Sequence, residues 1–337
     1  VKSIRTALIA PFVALMLLAL SACGAPAGTP TASDLPLKTA TVGLTYIPNI
    51  QFSPFYLADS RGYFTEQGAE VELRHHGAQE GLFTALLAGE EDFVVAGAGE
   101  MMQARSEGAD LVAIASYYRE YPVRMIVPAD SGVEQRADLK GARIGIPGRF
   151  GESWFALQVF LDQAGLTEQD VTIVEIGYTP VAALTTGKVD AVVGYVNNDA
   201  VQFEQAGFSV RTLPVADEVP LVSASLITTR EYAETHPDIA RLVVAAMLRG
   251  IDAAADDPEA TVDASVAYIP NLTTAEAKSA ALATLKATVP LFVADGGATG
   301  LLDERRFTDM ARFMLDRRLI SAPVDGPSSM TNDYVAK

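Results

Sequence analysis

Cysteine is almost absent from this chain. Cys23 is the only one in 337 residues, which excludes a disulfide framework and a zinc site built on thiolates. Histidine is scarce, with three residues in all, and there is one tryptophan, Trp154. Cationic side chains are outnumbered: 25 Lys and Arg face 42 Asp and Glu, a net charge of −17. Nucleic acid and anionic membrane surfaces are therefore poor partners. No stretch reaches the roughly 20 consecutive apolar residues that a membrane-crossing helix needs. No Ser-His-Asp spacing or phosphate loop is present. His75 and His76 are adjacent on a strand and point to opposite faces, which makes them poor co-ligands for a metal. Neither a metal nor a cofactor is expected.

What is present begins with an export pattern. Lys2 and Arg5 precede an apolar run over 7–19 and then Leu20-Ser21-Ala22-Cys23. This is the charged, apolar and small-residue sequence of a signal peptide. Leu-Ser-Ala-Cys also resembles a lipobox, which implies cleavage before Cys23 and lipidation of its thiol. Residues 1–22 are thus read as a lipoprotein signal, and 23–37, rich in Ala, Gly, Pro, Thr and Ser, as a flexible tether. The expected location is extracytoplasmic, with the lipid as the only membrane attachment.

The remaining ~300 residues exceed what one hydrophobic core usually serves, so two lobes are expected. Strand-like runs at 38–46, 69–74, 92–96 and 111–116 alternate with helix-like runs at 52–61, 79–88 and 100–107. The alternation resumes with strands at 142–146, 171–176, 190–193 and 209–213 and helices at 153–164, 179–186 and 199–206. Such alternation predicts an α/β fold with parallel sheets covered on both faces. Helices over 236–255, 274–288 and 303–317 complete the pattern. The predicted division is a first lobe of 38–127 and 225–337 and a second of 128–224. Two extended crossings, near 125–129 and 223–228, would form a hinge.

Three segments share a resemblance. They are Gly43-Leu-Thr-Tyr-Ile-Pro-Asn-Ile-Gln-Phe-Ser-Pro-Phe-Tyr-Leu-Ala-Asp-Ser-Arg-Gly-Tyr-Phe64, Leu139-Lys-Gly-Ala-Arg-Ile-Gly-Ile-Pro-Gly-Arg-Phe-Gly151 and Gly187-Lys-Val-Asp-Ala-Val-Val-Gly-Tyr195. Together they resemble the periplasmic-type (type II) substrate-binding proteins of ABC importers. The branch resembled includes binders of thiamine-precursor pyrimidines, riboflavin, and sulfonates or nitrate. The resemblance implies a monomeric receptor without enzymatic activity, served by a permease and its ATPase. Pyrimidine synthases of the same fold carry a cysteine-rich iron motif, which this chain lacks.

The resemblance implies a ligand between the lobes, and open α/β sheets bind ligands at the carboxyl ends of their strands in any case. The candidates in the first lobe are Tyr46, Asn49, Gln51, Gly99, Glu100, Tyr117 and Tyr118. In the second they are Arg149, Phe150, Glu152, Ser153, Trp154, Tyr178, Tyr195 and Asn197. Glu100 and Glu152 each open a helix after a glycine turn. An anion would not be met there by carboxylates, whereas a neutral ring with N–H donors would use them. The aromatic candidates suit offset stacking on a planar ring. The expected ligand is a planar heteroaromatic of the riboflavin or hydroxymethylpyrimidine kind. Arg149 favours the alternative, a small sulfonate, taurine or nitrate-like anion. A pyrimidine-modifying enzyme and a sensory module remain rivals from other classes.

Overall fold

The computed structural model describes residues 37–45, 47–77 and 80–336. The signal, the lipidation candidate Cys23, nearly all of the tether and the candidate Tyr46 lie outside the described residues. In chain order the strands are β1 (Lys38–Leu44), β2 (Ala69–His75), β3 (Phe93–Gly97), β4 (Leu111–Ser116), β5 (Val123–Pro128), β6 (Arg143–Ile146), β7 (Thr172–Glu175), β8 (Ala191–Tyr195), β9 (Val210–Pro214) and β10 (Ala224–Thr229). They form two five-stranded sheets, β2-β1-β3-β10-β4 and β7-β6-β8-β5-β9. In the first, β1 runs parallel to β2 and β3, while β10 is antiparallel to β3 and β4. The second repeats the plan, with β6 parallel to β7 and β8, and β5 antiparallel to β8 and β9.

These two antiparallel strands correct the expectation of wholly parallel sheets. They also move the crossings. The crossing expected near 125–129 lies inside β5, and that expected near 223–228 lies inside β10. The chain leaves the first sheet after Ser116 and joins the second at Val123, then returns between Pro214 and Ala224. The reason is physical. Val123, Met125, Ile126 and Val127 are all buried, and a short continuous apolar run reads equally as a buried strand or an extended connection.

Helices cover the sheets: α1 (Ser53–Ser60), α2 (Tyr63–Glu66), α3 (Thr84–Ala88), α4 (Ala98–Ser106), α5 (Gly151–Ala164), α6 (Pro180–Thr185), α7 (Asp199–Gln205), α8 (Arg230–Thr235), α9 (Pro237–Asp256), α10 (Pro258–Ser265), α11 (Ala275–Phe292) and α12 (Glu304–Asp316). On α9, Ile239, Val243, Met247 and Ile251 recur every fourth residue and are buried against the first sheet. Asp303 caps α12, accepting from the backbone N–H of Arg305 at 2.8 Å. Phe307, Met310 and Met314 of that helix are buried. The helix expected over 79–88 is shorter, starting at Thr84. The one expected to stop at 288 continues through Pro290 to Phe292. Its last residue is held by packing, with the Phe292 ring 5.1 Å from those of Tyr117 and Tyr118. No helix among the described residues is long and apolar enough to cross a membrane.

Candidate functional site

A cleft of about 690 Å³ opens between the carboxyl ends of the two sheets. Helices α4 and α5 begin at its wall, each with a glutamate in the first turn. From the first lobe come Gln51, Phe52, His76, Phe83, Gln103, Tyr117 and Tyr118, and from the second Phe150, Ser153, Tyr178, Tyr195, Asn198, Asp199 and Gln202. No lysine or arginine is among the described lining residues.

Tyr117 and Tyr118 lie on the first crossing and are buried. The Tyr117 hydroxyl donates to the Gln51 carbonyl at 2.7 Å, and Gln51 Nε2 donates to the Tyr118 hydroxyl at 3.4 Å. Phe150 and Tyr178 stand at the other extreme, 58% and 62% exposed at the second lobe's rim. Burial pushes the hydroxyls of Tyr117 and Tyr195 well above the ordinary tyrosine range, so both stay protonated.

The two glutamates meet. Glu100 Oε1 accepts from the backbone N–H of Glu152 at 3.1 Å, tying the start of α4 to the start of α5. The Tyr195 hydroxyl donates to Glu152 Oε2 at 2.9 Å. Burial raises both carboxyls, and the neighbouring charge of Glu100 adds to the effect on Glu152, which is pushed up to about 8. Asp199, at the start of α7, accepts from the Tyr195 backbone N–H at 2.7 Å, and burial raises it to about 6.

Further along the wall, Glu91 is fully buried and accepts from His76 Nε2 at 2.8 Å and from Arg74 at 2.6 Å. A Cβ on residue 43 would fall 2.4 Å from Glu91 Oε2, so any larger residue at position 43 of β1 must displace the Glu91 carboxylate. With Nε2 held by Glu91, His76 Nδ1 is buried without a protein partner on a residue that lines the cleft. His75 faces elsewhere, its Nε2 being 2.9 Å from the Tyr56 hydroxyl.

Five of the described candidates are not on the cleft wall. Asn49 caps the short helix at Ile50–Phe52 through its side-chain oxygen, which accepts from Gln51 N at 3.0 Å. Gly99 lies under the Phe155 ring, where a Cβ would be 2.9 Å from it, so its smallness serves the α4–α5 contact. Arg149 points outward, with Nη1 donating to Glu168 at 2.6 Å and its guanidinium 5.0 Å above the Trp154 ring. Trp154 packs beside the core of the second lobe. Asn197 is fully buried and donates to Thr288 of α11 at 3.0 Å. Sequence reasoning missed His76, Gln103, Asp199 and Gln202 as cleft residues. Helical spacing carried a signal for two of them: Gln103 lies three residues after Glu100 and Gln202 three after Asp199, on the same helix faces.

Two such sheets around one cleft define the periplasmic-binding-protein fold. The aliphatic sulphonate binding protein SsuA of Escherichia coli superposes with a TM-score of 0.70 at 17% identity, covering 87% of this chain and 92% of that one. Residues 49–261 match the family model described as NMT1/THI5 like. The riboflavin-binding protein RibY of Chloroflexus aurantiacus is 32% identical over 336 residues, 95% of each chain. A formylaminopyrimidine-binding protein of Halalkalibacterium halodurans is 26% identical over 235 residues, 68% of this chain and 71% of its own. The chain belongs to the NMT1/THI5-like family.

Proposed function

We propose that this protein is the extracytoplasmic solute receptor of an ABC importer, and that its ligand is a planar, uncharged heteroaromatic nutrient of the riboflavin or hydroxymethylpyrimidine kind. The observation that carries the reading is the composition of the cleft. Aromatic rings come from both lobes, carboxyls stand at both helix starts, and no lysine or arginine is among the described lining residues. A sulfonate would find no lysine or arginine there among the described residues. Arg149, the residue that favoured an anion, is engaged with Glu168 and Trp154 outside the cleft. The names of the two relatives point to the same ligand class.

The mechanism is lobe closure. A ring that touches both sheets binds the closed arrangement more tightly and shifts the population toward it by that difference in affinity. A monomeric closed receptor would then be read by a membrane permease driven by its ATPase. Cys23 would carry the lipid that keeps the receptor at the membrane. Calorimetric titration of the full chain with riboflavin, hydroxymethylpyrimidine and taurine tests the ligand class. One-to-one binding of a ring compound supports the reading, and binding of taurine alone overturns it. Cys23→Ser should release the protein from the membrane fraction with binding unchanged, and retention of the variant there would refute the anchor.

A further inference from the structure

We propose that Glu100 and Glu152 form one carboxyl pair across the cleft that holds a single proton between them and reads a ligand edge bearing a hydrogen-bond donor next to an acceptor. The proposal rests on the reading of the cleft as a heteroaromatic site. Each glutamate has one oxygen engaged by the protein and one without a hydrogen bond of good geometry. Glu100 Oε1 takes the Glu152 N–H and Glu152 Oε2 takes the Tyr195 hydroxyl. Glu100 Oε2 and Glu152 Oε1 are buried and make no hydrogen bond of good geometry, with the Ser223 hydroxyl, itself unpaired by the same measure, close beside Glu152. Glu152 is only 7% exposed, yet it lines the cleft.

The two free oxygens converge on one spot. A Cβ built on Gly97 would fall 2.0 Å from Glu100 Oε2 and 2.9 Å from Glu152 Oε1, so they lie within about 5 Å of each other, inside the range where like charges strongly oppose joint ionisation. Glycine at position 97 leaves room for the two oxygens themselves. The titratable neighbours offer no compensating cation. Tyr195 on β8 donates to Glu152, Tyr121 donates its hydroxyl to the Glu152 carbonyl at 3.1 Å, and Tyr118 and Asp199 line the same wall. Arg124 on β5 is turned to the carbonyls of Tyr121 and Val123. His76 lines the first-lobe wall with Nε2 held by Glu91.

Leaving a buried polar atom unsatisfied is costly, and a ligand edge removes that cost for both atoms at once. A carboxyl that keeps the proton donates to a ring carbonyl or ring nitrogen. The ionised partner accepts from the adjacent ring N–H or amino group. The ligand chemistry selected is therefore an imide, a lactam or an aminopyrimidine edge. Because the atoms come from opposite lobes, the same contact stabilises closure. Burial and the Glu100 charge keep Glu152 protonated up to about pH 8, so the donor is present at neutral pH and is lost as the pH rises through that value.

The test is equilibrium binding of riboflavin and 3-methylriboflavin, whose imide N–H is blocked, to the full chain between pH 6 and 9. Wild type should bind 3-methylriboflavin about tenfold more weakly, the cost of one unmade hydrogen bond to a charged group. Its riboflavin affinity should fall about tenfold between pH 7 and 9. Glu152→Gln keeps a neutral donor and should hold the pH 7 affinity within about threefold while losing the pH dependence. Gly97→Ala should weaken binding by pushing the two oxygens out of place. Circular dichroism melts separate lost folding from lost binding, and the pH profile and the methylated ligand need no variant. If hydroxymethylpyrimidine is the ring that binds, its N,N-dimethylamino derivative replaces 3-methylriboflavin. Tight ring binding that ignores pH and the methyl group overturns the pair alone. Binding of neither ring by wild type overturns the site reading, and the pair's role falls with it.

Discussion

Strands β4 and β9 occupy the same end position in their two sheets, yet β4 is buried from Leu111 to Ala115 while every residue of β9 is at least partly exposed. The difference lies in the chain segment laid along each strand. The C-terminal segment returns to the first sheet, where Met330 bridges to Ala113 and the Thr331 N–H donates to the Ala113 carbonyl at 2.9 Å. Nothing comparable pairs with the outer edge of β9 among the described residues. An uncovered strand edge is where a sheet opens first. The β4 edge is thus sealed and the β9 edge open. The cleft shows a contrast of its own, with Tyr117 and Tyr118 buried and Phe150 and Tyr178 exposed.

The contrast can be broken by matched truncations. Leu111→Ala in β4 should cost about 2–5 kcal/mol, the range for a fully buried leucine. An equal loss from Leu213→Ala in half-exposed β9, which should cost about 1 kcal/mol, would refute the difference; urea unfolding measures both. A pH scan sharpens it next. The folded-state pKa of Asp199 is raised from 3.8 to about 6, so the unfolded chain gives up this proton first. Its contribution is therefore full below pH 3.8 and lost as the pH rises through about 6. Glu100 and Glu152, also raised, lose stability over the same range, so the loss between about pH 4 and 7, read from melting temperatures, should shrink by about 1–3 kcal/mol in Asp199→Asn rather than vanish.

Gly43→Ala should cost about 1–3 kcal/mol by driving a methyl into the Glu91 carboxylate, and a neutral result would mean that the Glu91–His76–Arg74 cluster yields easily. The smallest effect is expected at the surface of the second lobe. Arg143 and Asp190 pair at 2.6 Å with both side chains 45% exposed. Arg143→Ala should cost less than about 1 kcal/mol in the same urea titration.

Much of the fold was legible because it is periodic. The strand read at 111–116 is the strand observed, and the helices read at 236–255 and 303–317 stand within a residue of their observed bounds. The two antiparallel strands were not legible, since an apolar run such as 123–128 has no period that separates strand from connection. In the site, Gln51, Glu100, Tyr117, Tyr118, Phe150, Glu152, Ser153, Tyr178 and Tyr195 line the cleft because residues at strand ends are carried there by the sheets. Arg149 and Trp154 sit in the same turn and helix start but face outward and inward respectively, a choice made by Glu168 and the second-lobe core.

The sequence by itself determined the α/β alternation, the acidic surface and the glycine–glutamate turn that opens one helix in each lobe. These are local properties, readable from spacing and composition. Only the tertiary structure decided that the two turns face each other, with Glu100 accepting from the backbone of Glu152 fifty-two residues away. It also decided that His76, after an exposed-looking strand, is buried against Glu91, and that the cationic Arg149 is kept out of the cleft. Those outcomes depend on which surfaces long-range packing brings together, and nothing in the local pattern encodes that.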